Sequence, residues 1–154
     1  MSIISKHISF KEATRSQTAT RNGIDNIPDF YQLTNMKVLA QWIFEPLRRW
    51  VGGAIRVNSF FRSTETNRLI GGSSRSQHCD GRAIDIDDTY QHKTNAEMFH
   101  FIRENLDFDQ LIWEFGDDEN PEWVHVSYVS DEQNRKKVLK AVRENGKTKY
   151  LNYV

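Results

Sequence analysis

The 154 residues are enough for one domain that buries about 70% of the surface of the unfolded chain, so no second domain is required. The 21 basic and 21 acidic side chains leave no net charge, so composition gives no support for long-range attraction to nucleic acid or to an anionic membrane. The single cysteine, Cys79, excludes an internal disulfide and a cysteine-rich zinc site.

The N-terminal segment, residues 1–7, has no apolar run of the length that a signal peptide needs, and no later segment approaches the length of a membrane span. We therefore expect a chain that is synthesised in the cytoplasm without a signal peptide and that does not insert into a membrane. A substrate outside the membrane would be reached only through delivery by another component.

Two helices are predicted in the first third of the chain. Ser9 and Glu12 have the spacing of a capping box, which begins a short helix. From residue 29 to residue 50, apolar side chains recur at steps of mostly three and four, as on one face of a long helix. Pro46 lies inside this stripe and should kink the helix, and Gly52 should end it.

A strand, a short helix and a second strand are predicted next. Alternation over residues 55–59 is typical of a half-buried strand, which delivers Arg62 just beyond its end. Ser63 can cap a helix that extends to Leu69. The mainly apolar residues 83–86 predict a buried strand.

The following segment contains one more helix and two strands. Thr94 and Glu97 form a second capping box, which begins a helix to about residue 105. Strands are predicted over residues 111–113 and 123–128, with an acidic loop between them.

The tail of the chain, residues 136–153, has alternating apolar positions on both sides of Asn145-Gly146, which is the strongest short-range signal for a β-hairpin in this sequence. The longest helix comes early, and most strands follow one another toward the C-terminus. We therefore predict an α+β fold, a single domain over residues 1–154 in which helices pack on a small antiparallel sheet.

The segment Ser76–Asp85 has the residues of half a metal site. It offers the imidazole of His78 from a loop and the carboxylate of Asp85 from a strand, and Gly81 between them allows the backbone to turn back. Judged on these residues alone, a metal site and an ordinary structural pair are equally supported.

A second segment, Glu122-Trp123-Val124-His125, offers an acid and another imidazole. Residues 122 and 125 of a strand point to opposite faces, so both reach one metal only if the strand begins or bulges near Trp123. The alternative is an exposed glutamate and a histidine in the core. With His78 and Asp85, His125 would complete three ligands and leave a fourth position open, as in catalytic zinc sites.

Other acidic and aromatic side chains have competing interpretations. Glu114, at the end of a strand, is a rival for the role of general base. The pair Asp87-Asp88 and the acidic run 117–119 could bind calcium weakly, although solvated loop charge is the far commoner explanation for such residues. Trp113 and Trp123 flank the site and could contact substrate or belong to the core.

Together with a third segment upstream, these motifs resemble those of a known family. The segments are Ser76-x-His78-x-x-Gly81-x-Ala83-x-Asp85, Glu122-Trp123-x-His125 and Ser59-Phe60-Phe61-Arg62-Ser63. They are similar to those of the zinc peptidases that include D-Ala-D-Ala carboxypeptidases and dipeptidases and the phage L-alanyl-D-glutamate endopeptidases, which are related in fold to the Hedgehog signalling domain. The resemblance extends over residues 9–128.

This resemblance implies roles for the residues of the two central motifs. His78, Asp85 and His125 match the zinc ligands, and Glu122 matches the general base that takes a proton from the attacking water. The implied cofactor is one Zn²⁺ ion.

The resemblance also implies substrate contacts. Arg62 matches an arginine that stabilises the oxyanion or grips a carboxylate, and Ser76 matches a serine that lines the site. Independently of the resemblance, Trp123 is assigned to substrate binding because it flanks the site. Two positions depart from the family pattern. Phe60 replaces a glycine and could narrow the pocket, and Cys79 replaces an aliphatic residue and is expected to be packed and inert.

The implied activity is hydrolysis of an amide bond in the peptide stems of bacterial peptidoglycan. The bond between L-Ala and D-Glu is the first choice, and a D-Ala-D-Ala carboxypeptidase or dipeptidase is the second. The missing signal peptide suggests a phage lysin, monomeric, that a holin or a virion component delivers to the cell wall. A non-catalytic zinc-binding module of the same fold is the alternative from another class.

Overall fold

A six-stranded sheet forms the centre of the protein in a computed structural model that describes residues 3–154. In chain order the strands are β1 (Ile3–Ser5), β2 (Ile8–Ser9), β3 (Arg56–Ser59), β4 (Ala83–Asp87), β5 (Gln110–Glu114), β6 (Trp123–Ser127), β7 (Lys137–Glu144) and β8 (Lys147–Asn152). The helices are α1 (Phe10–Ala13), α2 (Gln17–Arg21), α3 (Phe30–Leu39), α4 (Glu45–Val51), α5 (Thr64–Ile70) and α6 (Asn95–Asn105). This mixture of helices and strands confirms the predicted α+β fold.

Met1 and Ser2, part of the N-terminal segment considered above, lie outside the described residues. The prediction of one domain over residues 1–154 therefore stays a prediction. No helix within residues 3–154 combines the length and the apolar character needed to cross a bilayer.

The helix starts that the sequence predicts are confirmed. The side chain of Ser9 accepts a hydrogen bond from the backbone N–H of Glu12 at the start of α1. Thr94 and Glu97 form a reciprocal capping box at the start of α6, and Ser63 caps α5. Each of these caps satisfies backbone donors that have no partner within the helix, which typically contributes about 1 kcal/mol.

The single long helix predicted over residues 29–50 is interrupted. A π-helical segment, Ala40–Phe44, joins α3 to α4, and Pro46 follows it directly. Proline has no N–H to donate to the carbonyl four residues earlier, so the helix changes geometry at this point rather than continuing regularly. Gly52 ends α4 in the left-handed conformation, as predicted. Phe30, counted in the apolar stripe, is 85% exposed at the first turn of α3.

Three short elements have no counterpart in the predictions. Strands β1 and β2 pair as a small antiparallel sheet, and α2 lies in a stretch predicted to be a turn-rich loop. Elements of two to five residues are too short to show the periodicity on which such predictions depend. Ser16 caps α2 through its side chain, which is the signal that identifies this helix.

The central sheet is mixed rather than wholly antiparallel as predicted. Its strand order is β3-β4-β6-β5-β7-β8, and every neighbouring pair is antiparallel except β5 and β7. The predicted C-terminal hairpin is confirmed as β7 and β8. Its turn residues Asn145 and Gly146 have φ angles of 54° and 76°, the positive values that a tight hairpin turn requires.

The two faces of the sheet have different environments. One face is buried under the helices in a continuous apolar core, to which the sheet contributes Val57, Ile84, Ile86, Leu111, Trp113, Val124 and Val126. Burying a side chain of this size stabilises the fold by roughly 1.5–3 kcal/mol. Because side chains alternate along a strand, the residues between these positions point to the other face. That face carries the candidate site.

Candidate metal centre

Two of the predicted metal ligands lie side by side on neighbouring strands. Asp85 of β4 is directly opposite His125 of β6 in the antiparallel register. The Asp85 Oδ1 atom lies 2.8 Å from His125 Nδ1. Both side chains point away from the core, since their neighbours along each strand, Ile84 and Val124 among them, fill it.

The third predicted ligand comes from a 3-10 turn, Gln77–Asp80, that precedes β4. Ser76 caps this turn by accepting a hydrogen bond from the backbone N–H of His78. Gly81 ends it with a φ of 72°, and a Cβ atom there would collide with the backbone oxygen of Gln32. The turn thus requires glycine both for its conformation and for its close approach to α3.

The orientation of the His78 ring is set by a backbone contact. Its Nδ1–H donates to the carbonyl oxygen of Phe60 over 2.8 Å, which leaves Nε2 as the nitrogen that faces Asp85. Nε2 lies 3.3 Å from Asp85 Oδ2, is buried, and has no hydrogen-bond partner among the described residues. A ring held by a carbonyl through one nitrogen is the usual arrangement of a metal-binding histidine.

The three side chains fit a zinc ion. One ligand atom from each of His78, Asp85 and His125 lies within 4.8 Å of the others. Two imidazoles and a carboxylate are ligands that zinc prefers, at bond lengths of about 2.0–2.2 Å. The unpartnered His78 Nε2 supports this fit, because a buried polar atom without a partner is costly unless a ligand satisfies it.

The charges of the three groups are coupled. Burial alone would raise the pKa of the Asp85 carboxyl, but the adjacent His78 and His125 rings hold this pKa far below its usual range. Burial lowers the pKa of His78, so this ring favours the neutral form that a metal needs. Burial would also lower the pKa of His125, but its hydrogen bond to Asp85 raises it instead.

A cavity of about 800 Å³ opens above these residues. Arg62 and Trp123 line it beside the candidate ligands, as does Ser76. Six buried side-chain nitrogen or oxygen atoms of the described residues lack a hydrogen-bond partner, and two of the six are Arg62 Nε and Trp123 Nε1. The structure therefore brings all of the predicted substrate-contacting residues to one cavity.

A second carboxyl group, beside that of the candidate ligand Asp85, lines this cavity and belongs to Glu114. It lies on β5, one strand beyond His125, and its side chain points to the same face of the sheet. Glu114 is only 6% exposed and makes no side-chain hydrogen bond to a described residue. Burial raises its pKa to about 7; the nearby Asp85 charge adds to this effect and His125 opposes it.

Glu122, the residue predicted to be the general base, is not brought into the cavity. Its side chain is 42% exposed, and its carboxylate lies 3.4 Å from the guanidinium of Arg143. The pairing of β5 with β6 is regular from Trp123 onward, without the bulge that would turn residue 122 toward the site. The strand does begin at Trp123, but this start alone does not bring the side chain to the metal ligands.

The other candidates have structural explanations. Trp113 is buried in the core, and its indole N–H donates to the backbone of Asp117. Phe60 is also buried and does not line the cavity, so the expected narrowing is absent. Cys79 is half-buried, and burial raises the pKa of its thiol, which agrees with the inert role predicted for it.

The acidic pair considered for calcium is engaged in protein contacts. Asp87 accepts a hydrogen bond from the side-chain amide of Asn95, and Asp88 accepts from the backbone N–H of the same residue. Asp88 also lies 3.3 Å from the amide of Asn120. These contacts anchor the start of α6 and explain the pair without a cation.

Comparison with known proteins gives one finding. A family model described as peptidase M15 matches residues 6–127, a range that contains all three candidate ligands as well as Arg62 and Glu114. A search among curated proteins gave no match.

Proposed function

Because the chain belongs to the peptidase M15 family, whose members are zinc-dependent peptidases, we propose that it hydrolyses an amide bond in the peptide stems of bacterial cell wall. The observation that carries this proposal is the convergence of His78, Asp85 and His125 at a cavity that also holds a buried, unpaired carboxyl group. A structural zinc site would be closed by four protein ligands. Within the described residues, this group offers three.

We assign zinc binding to the three converging side chains. A bound zinc ion supplies Lewis acidity, which polarises a carbonyl and lowers the pKa of a water molecule toward about 7. His78 and His125 serve in their neutral forms and Asp85 in its ionised form. The Phe60 carbonyl keeps His78 Nε2 directed at the site through the hydrogen bond to Nδ1.

We assign the general base to Glu114 rather than to Glu122. Glu114 takes the proton of the attacking water on its carboxylate and later returns it to the leaving amine, so it ends each cycle ionised. A pKa of about 7 suits both steps, because the group binds and releases a proton near neutral pH. Glu122 is held at the surface by Arg143 and has no comparable position.

Arg62 is assigned to the substrate oxygen that becomes negatively charged during attack. Its guanidinium carries a positive charge, it lines the cavity, and its buried Nε–H has no partner among the described residues. A pre-positioned donor of this kind commonly contributes a factor of about 100 or more to the rate. Ser76 and Trp123 are proposed to contact the substrate at the same wall.

Product analysis tests which bond is cut. Wall stem peptides are incubated with the zinc-loaded protein, and the fragments are identified by mass spectrometry. We propose cleavage between L-Ala and D-Glu, which releases L-Ala-terminated fragments. Loss of a terminal D-Ala would instead identify a D-Ala-D-Ala carboxypeptidase. Zinc binding without turnover of any stem peptide would identify the non-catalytic module and contradict the proposal.

The lytic role of a phage-type lysin stays a prediction of the family resemblance. It is tested separately by adding the protein to purified cell walls and following the loss of turbidity, with the Glu114→Gln variant as the inactive control. Walls that remain intact while isolated stem peptides are cleaved would contradict the lytic role but not the peptidase activity.

A further inference from the structure

The C-terminal part of the chain extends the cavity beyond the region that the family model matches. The match ends at residue 127, whereas the cavity wall continues through the segment that precedes β7 and through strands β7 and β8. The contributing side chains are Arg135, Lys137, Leu139, Thr148 and Tyr150. The parallel pairing of β5 with β7 places this extension on the same sheet face as Glu114.

The charged side chains of this extension, Arg135 and Lys137, are positive, and they add to an excess of cations in the whole cavity. Arginine or lysine supplies four of the residues that line the cavity, namely Arg62, Arg75, Arg135 and Lys137, whereas the carboxylates that line it are Asp85 and Glu114. The whole chain has no net charge, so this excess of cations is local. A cavity wall with an excess of cationic side chains favours an anionic ligand.

Arg135 is held in place by a buried acid. Its Nε and Nη2 atoms donate to the two carboxylate oxygens of Asp109 over 3.0 and 2.7 Å. Asp109 is 1% exposed and also accepts a hydrogen bond from Gln77, so it connects the arginine to the turn that carries His78. This two-point contact leaves the N–H groups of the remaining Arg135 nitrogen, Nη1, available to a ligand.

Lys137 supplies the charge that is not neutralised. Its side chain is exposed, and no carboxylate of the described residues forms an ion pair with it. Lys137 lies beside Gln110 in the register of β5 and β7. The two residues and Arg135 therefore form one end of the cavity wall.

The register gives the distance between this end and the metal ligands. Ile112 is paired with His125 on one side and with Leu139 on the other, so His125 and Leu139 are two strand spacings apart, about 9.6 Å. Lys137 lies two residues further along β7, which brings the backbone separation to roughly 12 Å. An extended peptide advances about 3.3–3.6 Å per residue, and the lysine side chain reaches across part of the gap.

We propose that Arg135 and Lys137 form a subsite that binds a carboxylate of an acidic peptide, two or three residues from the bond that is hydrolysed. The inference rests on the proposed function and specifies its substrate class, since it selects peptides that carry a negative charge at this distance. It also assigns a role to the C-terminal hairpin, which the family match does not include.

A pair of synthetic peptides tests the subsite. The probes are N-acetyl-L-Ala-γ-D-Glu-L-Lys-D-Ala with a free C-terminal carboxylate and the same peptide with a C-terminal carboxamide. We expect the wild-type protein to have a lower KM for the acid than for the amide. Lys137→Met should raise the KM for the acid about tenfold and leave the KM for the amide within twofold, because only the acid loses a charged partner.

Lys140→Met is the matched control. Lys140 lies on the same strand but does not line the cavity, and it pairs with Asp118 instead. We expect this variant to retain both KM values. The preference for the acid should also weaken as the salt concentration rises, since charge contributes to it.

Three outcomes are decisive, and they separate the subsite from the proposed function. If the ratio of the KM for the acid to the KM for the amide is the same in the wild type and in Lys137→Met, the subsite is overturned, although hydrolysis itself could be intact. If the wild type cleaves neither peptide, the proposed function fails. The dissociation constants of the two peptides, measured by calorimetry, then replace the KM values in this comparison. A wild-type preference for the acid that disappears in Lys137→Met supports the subsite in either case.

Discussion

Three acidic residues near the site show how strongly the local environment changes the ionisation and exposure of side chains with similar chemistry. Asp85 is ionised between two imidazoles, Glu114 is buried without a partner, and Glu122 is exposed beside Arg143. The sequence offered a signal for this difference. Period-two alternation puts Trp123 and His125 on one face, which directs residue 122 elsewhere, but the pairing of β5 with β6 that adds Glu114 to that face is visible only in the structure.

The assignment of the base is tested by exchanging each glutamate for its amide. We expect Glu114→Gln to lower kcat on a stem peptide by at least a hundredfold, because glutamine cannot accept the proton of the attacking water. Glu122→Gln should stay within about threefold of the wild type, since it removes only an exposed ion pair. Zinc content is measured for both variants, so that loss of metal is not mistaken for loss of the base. The opposite pattern of rates would restore Glu122 as the base.

The Glu114→Gln substitution should also change the free energy of unfolding in a pH-dependent way. Burial raises the pKa of Glu114 from 4.5 to about 7, so the folded state binds this proton more tightly than the unfolded state does. Ionising the buried group then costs up to about 3 kcal/mol, at about 1.36 kcal/mol per pH unit. This penalty is absent below pH 4.5 and complete above pH 7.

Chelator-treated, metal-free protein provides the measurement. We expect Glu114→Gln to be more stable than the wild type to urea at pH 8, and the two proteins to converge at pH 4.5. Histidines that are not coupled to Glu114 titrate alike in both proteins and cancel in the difference, whereas His125 is coupled to Glu114 and contributes to it. A stability difference that does not change between pH 4.5 and pH 8 would show that Glu114 keeps an ordinary pKa.

At the scale of the elements, the parts that local chemistry determines were predictable. Helix caps and the Asn145-Gly146 hairpin turn follow from a few neighbouring residues, and the structure confirms them. The parallel pairing of β5 with β7 is different in kind. It depends on the connection after β6, where the backbone N–H groups of Lys136 and Lys137 donate to carbonyls of Phe108 and Asp109. No short sequence pattern encodes such a long-range choice.

Asp109 is the side chain that fixes this connection. Its carboxylate accepts hydrogen bonds from Gln77 and from the backbone and side chain of Arg135. We expect Asp109→Asn to destabilise the protein by about 2 kcal/mol, because it removes the charge from a buried hydrogen-bonded group. Asp118→Asn is the control, since Asp118 makes an exposed ion pair of little energetic value.

Urea unfolding at pH 7 measures both variants. The interactions with Arg135 and Gln77 hold the pKa of Asp109 below its ordinary 3.8 although burial opposes them, so its contribution is fully present at that pH. The contribution is lost as the pH falls below 3.8. Equal midpoints for Asp109→Asn and Asp118→Asn at pH 7 would show that the buried carboxylate does not hold the loop.

At the scale of the molecule, one sheet separates the core from the site. Alternating side chains of the same strands fill the core on one face and build the cavity on the other, so strand alternation positions two candidate ligands, Asp85 and His125, whereas His78 comes from a turn. The sequence motifs identified the candidate ligands because His78, Asp85 and His125 lie in short recognisable segments. The cavity wall beyond Glu114 was not predictable, because strands β7 and β8 join it only through the order of the sheet.

Because the three candidate ligands come from a turn and two strands, we expect zinc binding to stabilise the fold as a whole. An ion that binds only the folded protein adds about 4 kcal/mol when its free concentration is a thousand times its dissociation constant. For a chain of this size, each kcal/mol raises Tm by roughly 2–4 °C. We therefore expect zinc to raise the Tm of the metal-free protein by about 10 °C, as measured by calorimetry and independently of any activity.

Two histidine variants separate this site from non-specific binding. His78→Ala removes a buried ligand, so zinc should leave its Tm nearly unchanged, whereas His92→Gln removes an exposed histidine that is not in the ligand group and should retain the full increase. An equal increase in both variants would mean that zinc binds elsewhere. Such a result would also contradict the catalytic proposal, which depends on zinc binding at the candidate ligands on β4, on β6 and in the turn before β4.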